Sequence, residues 1–341
     1  MTALGASSAP EGTTSRASAA SLQRVQASVR ERLDEVTGEM WRAVATDAPL
    51  VSQMSAHLMA MRGKMFRPTL VLLSSAVEDH PEASAVTLAA AVELIHLATL
   101  VHDDAIDHSV LRRGMPTLNS LFSHQISVIM GDFLYSSALT RLVSAGNIDA
   151  LRALTRASTE MTIGELRQLA VTSPLAFSED DYFTLIGSKT ASLISAACEI
   201  GTLCGAPEHR ETLARFGEEL GMAFQITDDL IDYTEAAATT GKPTGIDLRE
   251  HKMTLPLIAA LRSMSREERG SVESLFAAKT PDDQSIAEVI GIVTAGGGLD
   301  YARDAAARHA AEAAKMLEAL PDTVARAALF ESISYVMERH A

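Results

Sequence analysis

The chain has 341 residues, with 29 basic against 44 acidic side chains and a formal charge of −15. That balance excludes the net basic face with which nucleic-acid binders neutralise phosphates. Apolar residues make up 47% but aromatics only 4%, so the core is built from aliphatic side chains, and Ala, Leu and Met lose little rotamer freedom in a helix.

Residues 1–20 are mostly Ser, Ala, Thr and Gly, with one Arg and one Glu. They cannot bury enough surface to order themselves and read as a disordered tail; a transit peptide would carry more Arg. From Ser21 the pattern changes. Leu22, Val25, Val29, Leu33, Val36 and Met40 recur at helical spacing, the stripe of a helix packed on one face. Similar periods continue almost to the C-terminus, broken at Pro49, Gly63, Pro81, Pro116, Gly146, Pro174, Pro207, residues 240–246, Pro281 and Pro321,. No useful strand alternation and no linker interrupts them, so residues 21–341 are expected to form one all-α domain, a bundle of ten or more helices,. Gly296-Gly297-Gly298 follows no strand and precedes no Lys-Ser/Thr, and reads as a turn between helices rather than a phosphate loop. Cys198 and Cys204 lie in an apolar helical stretch and read as reduced core residues. No uncharged apolar run reaches the roughly 18 residues of a membrane span and no signal peptide is recognisable. The expectation is a soluble cytoplasmic protein.

Two short sequences carry the chemistry. Asp103-Asp104-Ala-Ile-Asp107 and Asp228-Asp229-Leu-Ile-Asp232 each close a long apolar run, and in each the first and last Asp share a helix face. A single cluster is readily a solvated helix end. Two copies of like charges at the ends of apolar helices instead suit shared hard cations, since Mg²⁺ binds one or two carboxylates together with substrate phosphates. Cations accompany them: Lys64 and Arg67 upstream, Arg112 and Arg113 after the first cluster, then Lys189-Thr190, Gln225, Lys242 and Lys252. Such a set could hold a polyanion through metals and donors, the natural one being a diphosphate. His102 and His108 flank the first cluster, but an oxygen-rich site favours Mg²⁺ or Mn²⁺ over a transition metal.

The segments GKMFRP, ELIHLATLVHDDAIDHSVLRRGMPTLN, GDFLY, SKTASL, FQITDDLIDY and GKPTGIDLREHKMTLP, in this order, resemble those of the trans-polyprenyl (isoprenyl) diphosphate synthases over roughly residues 30–340. The resemblance implies the all-α isoprenoid synthase fold, a central cavity with facing Asp motifs, and a homodimer. It implies condensation of isopentenyl diphosphate with an allylic diphosphate, with about three Mg²⁺ per site, for which Mn²⁺ can substitute. By that resemblance Asp103, Asp107 and Asp228 are direct metal ligands, and Asp104, Asp229 and Asp232 are supporting or water-mediated ones. Arg112, Lys189, Thr190, Gln225, Lys242 and Lys252 surround the allylic diphosphate and the metals. Lys64, Arg67, His96 and Arg113 form the isopentenyl diphosphate pocket. Departures are Met65-Phe66, where basic or aliphatic residues are frequent, and His108, where an acidic one is common.

A helical turn rises about 5.4 Å, close to the length of an extended isoprene unit. Residues one and two turns before Asp103, namely Ala98, Thr99, Leu94 and Ile95, are therefore expected to gate successive units of a growing tail. The large ring that closes the cavity of short-chain relatives is missing there, which resembles the medium- and long-chain enzymes of quinone side-chain synthesis; a floor from another helix, through Phe133, would give a farnesyl or geranylgeranyl product instead. The product would then be handed to a membrane. A terpene cyclase would need Ser or Thr where Asp232 stands. A carboxylate di-iron bundle needs two Glu-x-x-His pairs, and only Glu93 to His96 is present. A non-catalytic or partner-dependent prenyl-binding subunit would have lost ligands, and none of the expected set is missing.

Overall fold

The computed structural model describes residues 13–61, 63–171, 174–234 and 244–338. Eleven helices come first: α1 Thr13–Gln26, α2 Arg30–Ala43, α3 Pro49–Ala60, α4 Phe66–Ser75, α5 Ser84–Ile106, α6 Leu118–Leu121, α7 His124–Ala145, α8 Ile148–Leu169, α9 Glu179–Ile186, α10 Ser192–Thr202 and α11 Arg210–Thr234. Six more follow: α12 Ile246–Arg249, α13 Leu255–Ala260, α14 Arg266–Ala277, α15 Asp283–Ala295, α16 Gly298–Glu318 and α17 Val324–Met337. The all-α expectation holds. Pro49 and Pro207 sit in first turns, where a missing N–H costs nothing,.

Apolar residues on nearly every side of α5, from Ala85 to Ala98, are buried, as in a helix surrounded by others. It packs chiefly on α7, with α4 and α2 alongside. This first core takes in α1 to α8, α10, the N-terminal half of α11 and the last turns of the chain. A second core joins α9, the C-terminal half of α11 and α12 to α15. Helices α11 and α16 run through both cores and tie them into one body.

Two expectations change. Helix α1 starts at Thr13, inside the segment read as a disordered tail. Its Leu22 and Val25 are buried where α1 packs on α17, and once such a turn is nucleated, extension through Ala and Arg costs little. A small antiparallel ribbon also pairs Leu111 with Pro116 and Arg112 with Met115. Arg113 and Gly114 both have positive φ, 51° and 74°, the two-residue turn whose twist suits a hairpin. The absence of a long uncharged apolar run stands: Ser84–Ile106 and His124–Ala145 are long and apolar enough to cross a membrane by length and composition alone, but Glu93 interrupts the first, and Asp132 and Arg141 the second. In the first the apolar window is 72% buried in the fold, whereas in the second it is only 33% buried.

Candidate active site

A chamber of about 900 Å³ opens between α5, α7, α8 and α11. Asp103, near the end of α5, and Asp228, near the end of α11, both line it, together with Lys189, Thr190 and Gln225. So do Lys64, Arg67, His96 and Arg113, and the tail positions Ile95, Ala98 and Thr99. A second chamber of about 590 Å³ shares Lys189, Thr190 and Gln225 with the first and adds Asp107, Asp229, Asp247 and Lys252.

Each Asp motif is divided. Helix α5 ends at Ile106 and Asp107 is its exposed cap, so Asp103 faces the first chamber and Asp107 the second. Asp104 is buried and held by Arg112, whose Nε lies 2.9 and 2.8 Å from its two oxygens. That bidentate pair places Arg112 in a small crevice beside the chambers. Asp228 faces the first chamber and Asp229 the second. Asp232 lines neither; its oxygens accept the backbone N–H groups of Ile246 at 3.0 Å and Asp247 at 2.9 Å. It therefore fixes the start of α12. Lys242 lies outside the described residues.

Burial pushes the Asp103 carboxyl up to about 6, with Glu165 and Asp107 adding repulsion and Lys189 and Arg112 opposing it. Burial also raises Asp229 well above the usual carboxylate range, with Asp247 adding to it, against hydrogen bonds from Tyr182 and Gln225. Carboxylates whose charge is disfavoured in the empty protein gain most from a cation.

The residues that the resemblance assigns to isopentenyl diphosphate converge on the first chamber. Arg67 Nη1 lies 3.2 Å from His96 Nε2; a guanidinium only donates, so Nε2 accepts and Nδ1 carries the proton. Burial and then Arg67 hold the His96 pKa well below its ordinary value. Glu93, 3% exposed, lies beneath these cations, and burial raises its pKa against the pull of Arg67 and Arg113. Lys64 sits 5.5 Å above the ring of Tyr335 from α17, and Phe66 stacks on Phe224 at 5.8 Å. Tyr335 and Phe224 line the chamber, and sequence reading missed both.

Lys189 and Thr190 lie in a π turn, Gly187–Ala191, between α9 and α10, the kind of widened turn often found at functional sites. Two helices close on it. A Cβ on Gly164 of α8 would stand 3.0 Å from Ser188 Cβ, and one on Gly221 of α11 only 2.5 Å from Ala191 Cα. Lys189 Nζ pairs with Glu165 at 2.5 Å and donates to Gln168 at 3.1 Å. Glu165, Gln168, Asp247 and Tyr182 are further residues that sequence reading missed; Glu165 and Gln168 sit three apart on α8, a spacing that could have drawn attention to them.

Down the first chamber, Phe133 packs on the core and does not line the wall, while Tyr135 does. Ser158, Thr159 and Thr162 of α8 form part of the wall. Their hydroxyls donate at 2.9 Å to the carbonyls of Leu154, Thr155 and Ser158 in their own helix, and Thr99 likewise donates to His96 O at 2.8 Å. Engaged in this way, they offer no proton to the chamber.

The polyprenyl synthetase family model matches residues 48–293. The chain is 39% identical over 298 residues to an all-trans-nonaprenyl-diphosphate synthase (geranyl-diphosphate specific) of Rhodobacter capsulatus, covering 87% of this chain and 91% of that protein. It matches the crystal structure of a decaprenyl diphosphate synthase from Rhodobacter capsulatus with a TM-score of 0.89 and 36% identity, over 94% of this chain and 99% of that one. A polyprenyl synthase from Caulobacter crescentus, solved with calcium and isoprenyl diphosphate, matches with a TM-score of 0.88 and 33% identity, over 94% and 98% of the two chains. With the two Asp motifs meeting around one chamber of an all-α body, these likenesses place the chain in the polyprenyl synthetase family of prenyltransferases.

Proposed function

We propose that the chain condenses isopentenyl diphosphate with an allylic diphosphate in head-to-tail (1'-4) steps, making an all-trans polyprenyl diphosphate of medium or long chain. The observation that carries this is the first chamber itself. Asp103, Asp228 and Lys189 line the same chamber as Lys64, Arg67 and Arg113, and it continues past Ala98 and Ile95 between α5 and α8. Two diphosphates and one apolar tail are the cargo such a chamber fits.

The donors fit a hard divalent cation, Mg²⁺ by this reading, about three per site with Mn²⁺ able to replace it. Among the described residues, the only three acidic or His ligand atoms within 4.8 Å of one another belong to Glu78, Glu208 and His209, outside both chambers. The Asp motifs are thus not a preassembled cage, and the diphosphate oxygens would complete the coordination of metals held by Asp103, Asp107 and Asp228. When bound, the metals neutralise charge on the departing diphosphate. Lys189 supplies a further positive charge where negative charge develops, after release from Glu165. Lys64, Arg67, Arg113 and the Nδ1–H tautomer of His96 hold the second diphosphate and aim its double bond at the allylic carbon. The aliphatic and backbone-bonded walls keep water from quenching the cation, and the departing diphosphate takes the proton.

The apolar, mostly exposed face of α7, with Ile129 and Val143 each 66% exposed, and Leu166 of α8 at 61%, supports a homodimer; a monomer mass by light scattering would overturn that. Tyr135, an aromatic ring in the tail wall, is the one feature favouring a shorter, farnesyl or geranylgeranyl product. The deciding experiment incubates purified protein with Mg²⁺, isopentenyl diphosphate and allylic primers of five, ten, fifteen or twenty carbons, and reads product mass after dephosphorylation. Products of about thirty to fifty carbons, six to ten helix-turn-sized units, support the reading and a role in quinone side chains. Arrest at fifteen or twenty carbons supports the Tyr135 alternative, and no product from any primer sinks the reading in favour of a partner-dependent subunit.

A further inference from the structure

We propose that Gln26, the last residue of α1, is a positioning residue for Lys64: its side-chain amide holds the backbone turn from which Lys64 reaches the second diphosphate. The proposal rests on the functional reading above. Gln26 itself lines neither chamber. Its Nε2 donates to the Lys64 carbonyl at 2.8 Å and to Thr69 Oγ1 at 3.1 Å. A carbonyl only accepts, so the amide must turn its NH₂ this way. Thr69, buried on α4, gives its own proton to the Met65 carbonyl at 2.7 Å and keeps its lone pairs for Gln26. Both amide protons are thus used.

The turn needs such a clamp. Met65, which opens α4, has φ 53° and ψ 34°, and no side-chain hydrogen bond caps the helix there. That left-handed conformation is uncommon for a residue with a Cβ and persists where neighbours over-determine it. Phe66 fixes one side: it is buried, with its ring 5.8 Å from that of Phe224 and 5.4 Å from that of Tyr335. Gln26 fixes the other, because it grips the peptide group between Lys64 and Met65. Rotation about the Met65 N–Cα bond would relieve the strain, and it would swing Lys64 about the anchored Phe66.

With the turn held, the Lys64 ammonium stands 5.5 Å from the centre of the Tyr335 ring at the wall of the first chamber. A ring face attracts a cation only within about 6 Å, so a small swing of the backbone loses that register. The clamp is itself braced. Leu22 and Val25 are buried where α1 packs on α17, and Arg24 pairs with Glu331 of α17 at 3.1 Å. Helix α1 thus brings the donor and α17 the ring, from opposite ends of the chain, onto one short turn.

Steady-state kinetics and calorimetric titration with isopentenyl diphosphate, both on the full-length protein, test this. Gln26→Met keeps the length and helix preference of the side chain and removes the donor. It should raise the KM and the Kd for isopentenyl diphosphate about five-fold, the scale of one hydrogen bond, and leave the KM for the allylic primer within about two-fold. Because Gln26 acts through Lys64, the same substitution in a Lys64→Ala background should cost less than about two-fold. A KM and Kd for isopentenyl diphosphate within about two-fold of wild type, equal shifts for both substrates, or an undiminished loss without Lys64 would reduce Gln26 to a packing residue and overturn the proposal. If Gln26→Met fails to fold by circular dichroism, Gln26→Glu offers a carboxylate that only accepts, and it should show the same split between substrates and the same dependence on Lys64. A wild type that binds isopentenyl diphosphate yet makes no product refutes the functional reading while the titration still decides Gln26, and a wild type that does neither overturns both. An active wild type with an unmoved Gln26→Met refutes this inference alone.

Discussion

Replacing Ala98 by Phe should shorten the product while sparing the rate of the first condensation. Ala98 is 1% exposed and lines the first chamber on α5, five residues before Asp103. At 1.5 Å per residue that is about 7.5 Å below the carboxylate, and Ile95, eight residues before it, is about 12 Å below. An extended isoprene unit takes up about one helical turn, so a ring at 98 leaves depth for one to two units behind the reacting one, and growth should stop near fifteen to twenty carbons. A ring at Ile95 should stop it almost one unit later, which turns the two variants into a graded pair. If the Phe side chain enters the chamber the fold tolerates it; if it is forced into the core the cost is about 1–3 kcal/mol, visible as a lower Tm. The assay is product mass after dephosphorylation, beside the initial rate with a short primer. Unchanged product length in an Ala98→Phe protein with a wild-type Tm would refute the gating argument, and so would equal shortening by both variants.

Asp103→Ala or Asp228→Ala should cut turnover by orders of magnitude with circular dichroism unchanged, since each removes a ligand needed for leaving-group ionisation; near-normal turnover in either would overturn the assignment. Because the Asp103 carboxyl is pushed up to about 6 in the empty protein, the folded state binds more protons than the unfolded one between about pH 4 and 6. Raising the pH through that window should therefore cost the metal-free protein roughly 3 kcal/mol. Calorimetry should show this cost fading when Mg²⁺ and a diphosphate are present, with cation affinity weakening as the pH falls below about 6; a flat stability profile would remove Asp103 from that role. Glu165→Gln takes away the carboxylate that pairs with Lys189 and should lower the KM for the allylic primer about five-fold, the scale of a partly exposed ion pair, without moving the KM for isopentenyl diphosphate. A shift in both substrates together would show that Glu165 acts on the fold instead.

Local chemistry was legible in the sequence, and long-range chemistry was not. Asp103 and Asp228 stood out because like charges ended apolar helices, and both do line one chamber. The same helical spacing predicted Asp107 beside Asp103, and the Asp107 N–H does bond the Asp103 carbonyl at 2.8 Å in the last helical turn, although Asp103 lines the first chamber and Asp107 the second. Asp232 met backbone groups 14 and 15 residues further along, a contact no spacing rule reaches. Phe133 was the wrong ring by two residues, a rotation of about 200° around α7 that exchanges wall for core. Glu165 and Tyr182 escaped notice because their partners come from the π turn and α11. The hairpin was signalled only by Arg113-Gly114, too short a stretch to show strand alternation.

The π turn at Gly187–Ala191 has a mechanical consequence. Its signature bond joins the Ser192 N–H to the carbonyl of Gly187, one residue further back than the α-helical partner. The rod from Glu179 to Thr202 is therefore a cranked shaft, with its two ends phased apart by one inserted residue. Tyr182 engages Asp229 on one throw of the crank while Lys189 engages Glu165 on the other. Deleting any one residue between 187 and 191 would let the shaft relax to uniform pitch and rotate one throw by about 100° against the other. Where the lost residue is Gly187, Ser188 or Ala191, the side chains of Lys189 and Thr190 would survive, yet their timing around the axis would be lost, so these three positions should tolerate exchange of residues far better than any change in their number.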